Sequence, residues 1–339
     1  MRRFSLLSPL SALLAAFSLL LIPALAEAHQ QGVLARGRSA EMVASYGDWF
    51  YFDYHVSIIV GILAVTVVYT LGITVWRKKY KLSDTVDRGK ATMFYGSMVL
   101  LWLTIDGPLH HLSDELLFSA HMVQHLTLQL IWSPLFLLSW PDWLIRPAAS
   151  VPLVNRVARF VTRPLIAWVL IAGMLLFWHL PRFYNLALSI HELHILQHVL
   201  FMTTALIFWW PILGNLDDLV PRPTPDGQLV YLLLSMLPMK ALGAFISLQE
   251  TAVYTFYADA PRVWGLTPLG DQRAGGLLMW VPAGLVLWVG LGYVFIRWVK
   301  HVNPKPGSTG NARLDAQLAQ TETRRREREA MLKAMAGRT

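Results

Sequence analysis

Seven long apolar stretches divide the chain, at about 54–76, 91–109, 118–140, 165–179, 195–210, 229–248 and 275–299. Crossing a hydrocarbon core of about 30 Å takes about 20 helical residues, and most of these stretches reach or approach that length. Apolar positions run continuously instead of alternating, which predicts helices and argues against a membrane β-barrel. The fourth and fifth stretches are short in their strictly apolar parts and are extended through polar flanks. Trp and Tyr near the ends (Tyr54, Trp76, Trp140, Trp178, Trp209, Trp210, Trp298) fit interfacial belts.

An earlier apolar run, 6–22, follows Arg2 and Arg3 and leads to Pro23 and Ala26-Glu27-Ala28, the layout of a cleavable secretory signal. The competing reading is an uncleaved first span. The organisation predicted is a signal peptide at 1–28, an extracytoplasmic segment at 29–53, a seven-helix membrane domain at 54–300 and a polar basic tail at 301–339. Alternate connections 77–90, 141–163, 211–228 and 297–339 carry 21 Lys and Arg, against five on the other side. The positive-inside rule places the mature N-terminus outside and the C-terminus in the cytoplasm. The acidic connection 211–228, with Asp217, Asp218 and Asp226, does not contribute to that count.

Composition agrees: 55% of the 339 residues are hydrophobic and 15% charged, where a soluble domain has about a quarter charged. The net charge of +8 could suggest nucleic acid, yet the four cytoplasmic segments alone carry +11. The basic excess is therefore topological, with attraction of the Arg324–Arg328 run to anionic lipid as the simple reading. With no cysteine in the chain, disulfides, thiolate metal sites, iron–sulfur clusters and thiol nucleophiles are excluded. Any metal chemistry must use His, Met, carboxylate or backbone ligands.

Eight of the eleven histidines fall at the predicted outer membrane edge: His110, His111, His121, His125, His179, His191, His194 and His198. His121 and His125 are four apart and share a helix face, at a spacing that lets two imidazoles hold one metal. His191, His194 and His198 follow i, i+3, i+7 and are expected to share another face. Asp106, four residues before His110, is a candidate for orienting a ligating imidazole from behind, or else a structural cap. Met122, Met202, Met236 and Met239 are weaker candidates, soft ligands suited to Cu(I) but also ordinary core residues. Lys240 is an intramembrane charge with Asp106 as a conceivable partner. His29 would chelate copper through its amine and ring if the signal is cut after Ala28, and His55 is a possible ninth member of the layer.

Several short motifs carry a resemblance. Asp106-Gly107-Pro108-Leu109-His110-His111-Leu112-Ser113, His121-Met122-Val123-Gln124-His125, the turn 141–147, Trp178-His179-Leu180-Pro181 with Tyr184, and His198 followed by Phe208-Trp209-Trp210-Pro211 together resemble the seven-helix CtaG family. The resemblance runs over about 49–300. It is distinct from the single-span copper chaperone that shares the name. The resemblance implies a bacterial cytoplasmic-membrane protein, not an enzyme, that helps to mature a haem–copper cytochrome c oxidase, with oxidase subunits as partners and copper as the metal.

The leading expectation is a copper-handling assembly factor whose periplasm-facing imidazoles receive copper, from a periplasmic copper chaperone if one delivers it, and pass it to the oxidase. Ligand substitution, not disulfide chemistry, is then the transfer mechanism. The alternatives are a haem-binding or electron-transfer protein with His125 and His198 as axial pair, a copper permease using Met236, Met239 and Lys240, and a docking surface whose histidines are interfacial. Hydrolysis is disfavoured, because no recognisable nucleophile accompanies the cluster.

Overall fold

A computed structural model describes residues 55–304 and 312–336. The predicted signal peptide, His29 and the 29–53 segment lie outside the described residues. Within them the chain is helical, with no strand.

Helices lie over all seven apolar stretches. They are α1 (Val56–Lys79), α2 (Arg88–Ile105), α4 (Phe118–Leu126, continued by Thr127–Trp132 and Ser133–Ser139), α7 (Pro164–Trp178), α9 (His191–Leu213), α10 (Pro225–Ser247), and the pair α12 (Pro268–Trp280) and α13 (Pro282–Val302). Shorter helices fill the connections: α3 (Pro108–His111, continued by the wide turn Leu112–Leu116), α5 (Asp142–Ala149), α6 (Pro152–Val161), α8 (Pro181–Ser189) and α11 (Thr255–Ala258). The polar tail contains a further helix, α14 (Ala312–Ala336), laced by an Arg325–Glu329 pair one turn apart at 2.9 Å.

Among the described residues, four helices are long and apolar enough to cross a membrane: α1, α9, α10 and the combined Pro268–Val302; α6 with α7, bent by 71°, makes a fifth if the pair counts as one. α2 and α4 have the length but not the mean apolarity, and the cause is visible in each. Arg88 and Lys90 open α2. α4 carries His121, Gln124, His125, Gln129 and Ser133, all buried.

Those buried polar residues follow from the position of α4, which packs against α2, α9 and α12. Positions 121, 125, 129 and 133 recur every four residues and form a polar ridge inside the bundle, where Ser133 Oγ donates to the Leu128 carbonyl at 2.8 Å and Trp209 Nε1 donates to the main-chain carbonyl of Gln129 at 2.9 Å. Gln124 Nε2 donates to the Thr104 carbonyl at 2.9 Å. The N-cap residue of α4, Leu117, offers no capping side chain. Asp271 in the first turn of α12 supplies that function, accepting from Phe118 N at 2.7 Å, Ser119 N at 3.0 Å and Ser119 Oγ at 2.5 Å.

α10 and α12 meet backbone to backbone. A Cβ added to Gly243 would lie 2.8 Å from the Gly276 carbonyl oxygen and 2.9 Å from Trp280 N, so only glycine permits the approach. Gly243→Ala is expected to destabilise the bundle by about 1–3 kcal/mol through overpacking, measurable as a lower melting temperature in detergent. An unchanged melting temperature would contradict the close approach.

The acidic connection 211–228 is explained by its partners. Arg222 pairs with Asp217 at 2.6 Å and Arg146 of α5 with Asp218 at 2.5 Å. The Arg222 guanidinium holds the Asp217 carboxyl below its ordinary pKa, and Arg146 does the same for Asp218.

Candidate metal centre

One turn into α4, His121 and His125 project from the same face, with ring centroids 4.1 Å apart. α9 packs against α4 and brings His194 and His198 to the same level: His194 is 5.4 Å from His121, and His198 is 4.9 Å from His125. His121, His125 and His194 each offer a ring nitrogen, all within 4.8 Å of one another. All four rings are at most 8% exposed.

Hydrogen bonds fix the tautomers of two imidazoles. Tyr257 of α11 donates its hydroxyl proton to the Ser113 carbonyl, which can only accept, so the contact at 3.0 Å between its oxygen and His121 Nδ1 requires the imidazole to donate. His121 then carries its proton on Nδ1 and presents a bare Nε2. His179 Nδ1 donates to the Leu175 carbonyl at 2.7 Å, again leaving Nε2 bare. Nε2 of His121, His179, His194 and His198, and both ring nitrogens of His125, are buried without a hydrogen-bond partner. Each such atom costs about 1–3 kcal/mol unless a ligand or water meets it, which makes these five imidazoles candidate metal ligands.

The remaining predicted residues are distributed around this centre. His110 of α3 reaches it through Asp114, whose Oδ2 lies 3.4 Å from His110 Nδ1 and 3.3 Å from His194 Nδ1. Burial pushes the Asp114 pKa up, but the His110 and His194 rings together hold it well below the ordinary value. His111 stands beside His110, with ring centroids 6.4 Å apart, and outside the triad. His179 flanks the cluster, its ring 6.0 Å from Tyr184.

Two expectations are corrected, and His191 stands apart. α9 begins at His191, so helical spacing keeps it on the face of His198, but as the first residue it is exposed and sits two turns, about 10 Å, along the axis from His198. Asp106 does not orient His110. α2 ends at Ile105, so the four-residue spacing is not one helical turn, and Asp106 Oδ1 instead accepts from His55 N at 3.1 Å and His55 Nδ1 at 2.8 Å, capping α1. The pair of Asp106 with Lys240 is therefore not formed, and the Lys240 stem lies against Gly284 of α13. His55 joins the layer through Asp106 and through an edge-on contact with His110 at 5.0 Å.

The methionines contribute packing. Met122 turns toward Gly275 of α12, Met236 and Met239 belong to the core with Leu232 and Leu287, and Met202 packs with the α1–α2 cluster. The candidate donors are thus ring nitrogens. Asp114 and Tyr257 were not expected from the sequence. Asp114 has a usable signal, four residues after His110 on one helical run, whereas Tyr257 sits in a four-residue helix whose packing no periodicity reveals.

The family model described as cytochrome c oxidase caa3 assembly factor (Caa3_CtaG) matches residues 67–301. The chain belongs to the cytochrome c oxidase caa3 assembly factor family. The matched region contains the whole histidine cluster, Asp114 and Tyr257, and leaves out His55 and α14. Uncharacterized proteins of Mycobacterium bovis and Mycobacterium tuberculosis are each 26% identical over 181 residues, 48% of this chain and 27% of theirs. One of Mycobacterium leprae is 22% identical over 201 residues, 54% of this chain and 30% of its own. The chain therefore spans under a third of the length of these curated relatives. No solved structure matches.

Proposed function

We propose that this caa3-type assembly factor binds copper at His121, His125 and His194, with His198 and His179 within reach for ligand exchange, and delivers it to a haem–copper oxidase. The observation that carries the reading is the set of buried, unpartnered ring nitrogens on α4 and α9, together with His121, His125 and His194 each offering a ring nitrogen within 4.8 Å of the others. Metal–imidazole bonds are about 2.0–2.1 Å, so three ligands around one ion stand roughly 3.3–3.6 Å apart. Reaching that from the observed spacing takes side-chain shifts of about an ångström. Imidazole suits copper in either oxidation state, and more donors than one ion needs favour exchange over permanent retention.

The chain is read as crossing a bacterial cytoplasmic membrane seven times, with the histidine layer on the outer side and the Lys- and Arg-rich connections inside. That orientation presents the centre to a periplasmic donor and to the outer domain of an oxidase subunit. The haem alternative is disfavoured by packing. Axial imidazoles stand on opposite faces of a porphyrin, whereas the His125 and His198 rings touch edge to face at 4.9 Å with His194 alongside. The permease alternative loses its path, because Met236 and Met239 are closed into the core.

The test is the copper content of the oxidase in host membranes. Cells in which the chain carries His121→Ala/His125→Ala are expected to assemble copper-deficient oxidase at unchanged levels of this protein; full copper occupancy would overturn the proposal. At the level of the site, Tyr257→Phe is expected to weaken copper binding about 10- to 100-fold by releasing the His121 tautomer. Competition titration with a chelator measures this, and an unaltered affinity would remove Tyr257 from the account.

A further inference from the structure

A cluster of neutral imidazoles that takes up copper acquires one or two buried positive charges, and an uncompensated buried charge is strongly unfavourable. Four buried or half-buried carboxylates lie in this half of the described residues: Asp106, Asp114, Glu115 and Asp271. Asp106 is committed to the amide and ring of His55, and Asp271 to the first turn of α4. Asp114 faces the cluster: Oδ2 lies 3.3 Å from His194 Nδ1, and Ser113 Oγ donates to Oδ1 at 3.0 Å. Oδ2 also lies 3.4 Å from His110 Nδ1, so the carboxylate sits between two imidazoles, and His194 is the one of the two that belongs to the triad. The His194 ring thus has two different sides, Nδ1 toward the carboxylate and Nε2 buried with no hydrogen-bond partner.

We infer that Asp114 is a positioning residue for the copper centre, which keeps the His194 proton on Nδ1 so that Nε2 is presented as ligand, and whose negative charge makes the site accept Cu(II) as well as Cu(I). The inference rests on the copper reading and adds a charge selectivity to it. A full negative charge at this remove favours the divalent ion over the monovalent one, because the Coulomb interaction scales with the ion's charge in a poorly solvated interior.

The two effects separate by substitution. Asp114→Asn keeps an acceptor for His194 Nδ1 and removes the charge; Asp114→Ala removes both; Asp114→Glu keeps both. The affinities of the purified full-length chain for Cu(I) and for Cu(II) are measured separately by competition with chelators, with melting temperature as the check on folding. For Asp114→Asn, Cu(II) affinity is expected to fall about tenfold further than Cu(I) affinity; for Asp114→Ala, both fall by a further 10- to 100-fold. Asp114→Glu is expected to restore the wild-type ratio. Equal losses for the two ions in a folded Asp114→Asn variant, or no loss, would overturn the inference while leaving the copper reading intact. A wild-type chain that takes up neither ion overturns the copper reading itself, and this inference with it.

Discussion

Replacing His121 and His125 together by alanine is expected to abolish stoichiometric copper binding by the purified chain. Loss of a single outer partner of a ligand costs about 10- to 100-fold in affinity, so loss of two of three ligands exceeds a hundredfold, with His194 left beside His198 and no second ligand from α4. The same residues allow a sharper experiment on stability. His125 has both ring nitrogens buried without partners, and each carries a desolvation cost of about 1–3 kcal/mol. His125→Leu removes that cost at similar volume. It is expected to raise the melting temperature of the metal-free chain while eliminating the extra stabilisation that copper confers on the wild type. A structural histidine gives the opposite pattern, a lower melting temperature and no change in metal response.

The second large effect is expected at Asp271, a fully buried carboxylate that accepts three hydrogen bonds from the first turn of α4. Asp271→Ala leaves Phe118 N–H and Ser119 N–H without partners in the interior. The expected loss is about 3–5 kcal/mol, the range for breaking a buried charged network, and it is read as a drop in melting temperature. His121 lies one turn from this cap, so fraying of the helix start should also weaken copper binding. Asp271→Asn, which can still accept one of these bonds, is expected to retain part of both. Wild-type stability in Asp271→Ala would show that α4 does not depend on this clamp.

The two effects divide what the sequence reveals from what it hides. Helix positions followed from apolar run length, and the pairing of His121 with His125 followed from helical periodicity, because both are properties of one segment. The approach of α9 to α4 is legible only as matched depth, which is enough to bring His194 and His198 into the cluster but does not show that His191, two turns further along the same face, is exposed. Asp106 was assigned to His110 by counting residues across a helix end that the sequence does not mark strongly, since Gly107 and Pro108 open a new helix instead of extending the old one. Tyr257 and Asp271 act through contacts with partners 136 and 153 residues away in the chain, which periodicity cannot supply.

X-ray absorption on the copper-loaded chain addresses the central claim most directly. Three buried imidazoles and packed-away methionines predict a first shell of nitrogen at about 2.0 Å, with the outer-ring scattering of histidine and no sulfur at about 2.3 Å. A sulfur shell, or a first shell without imidazole scattering, would contradict it.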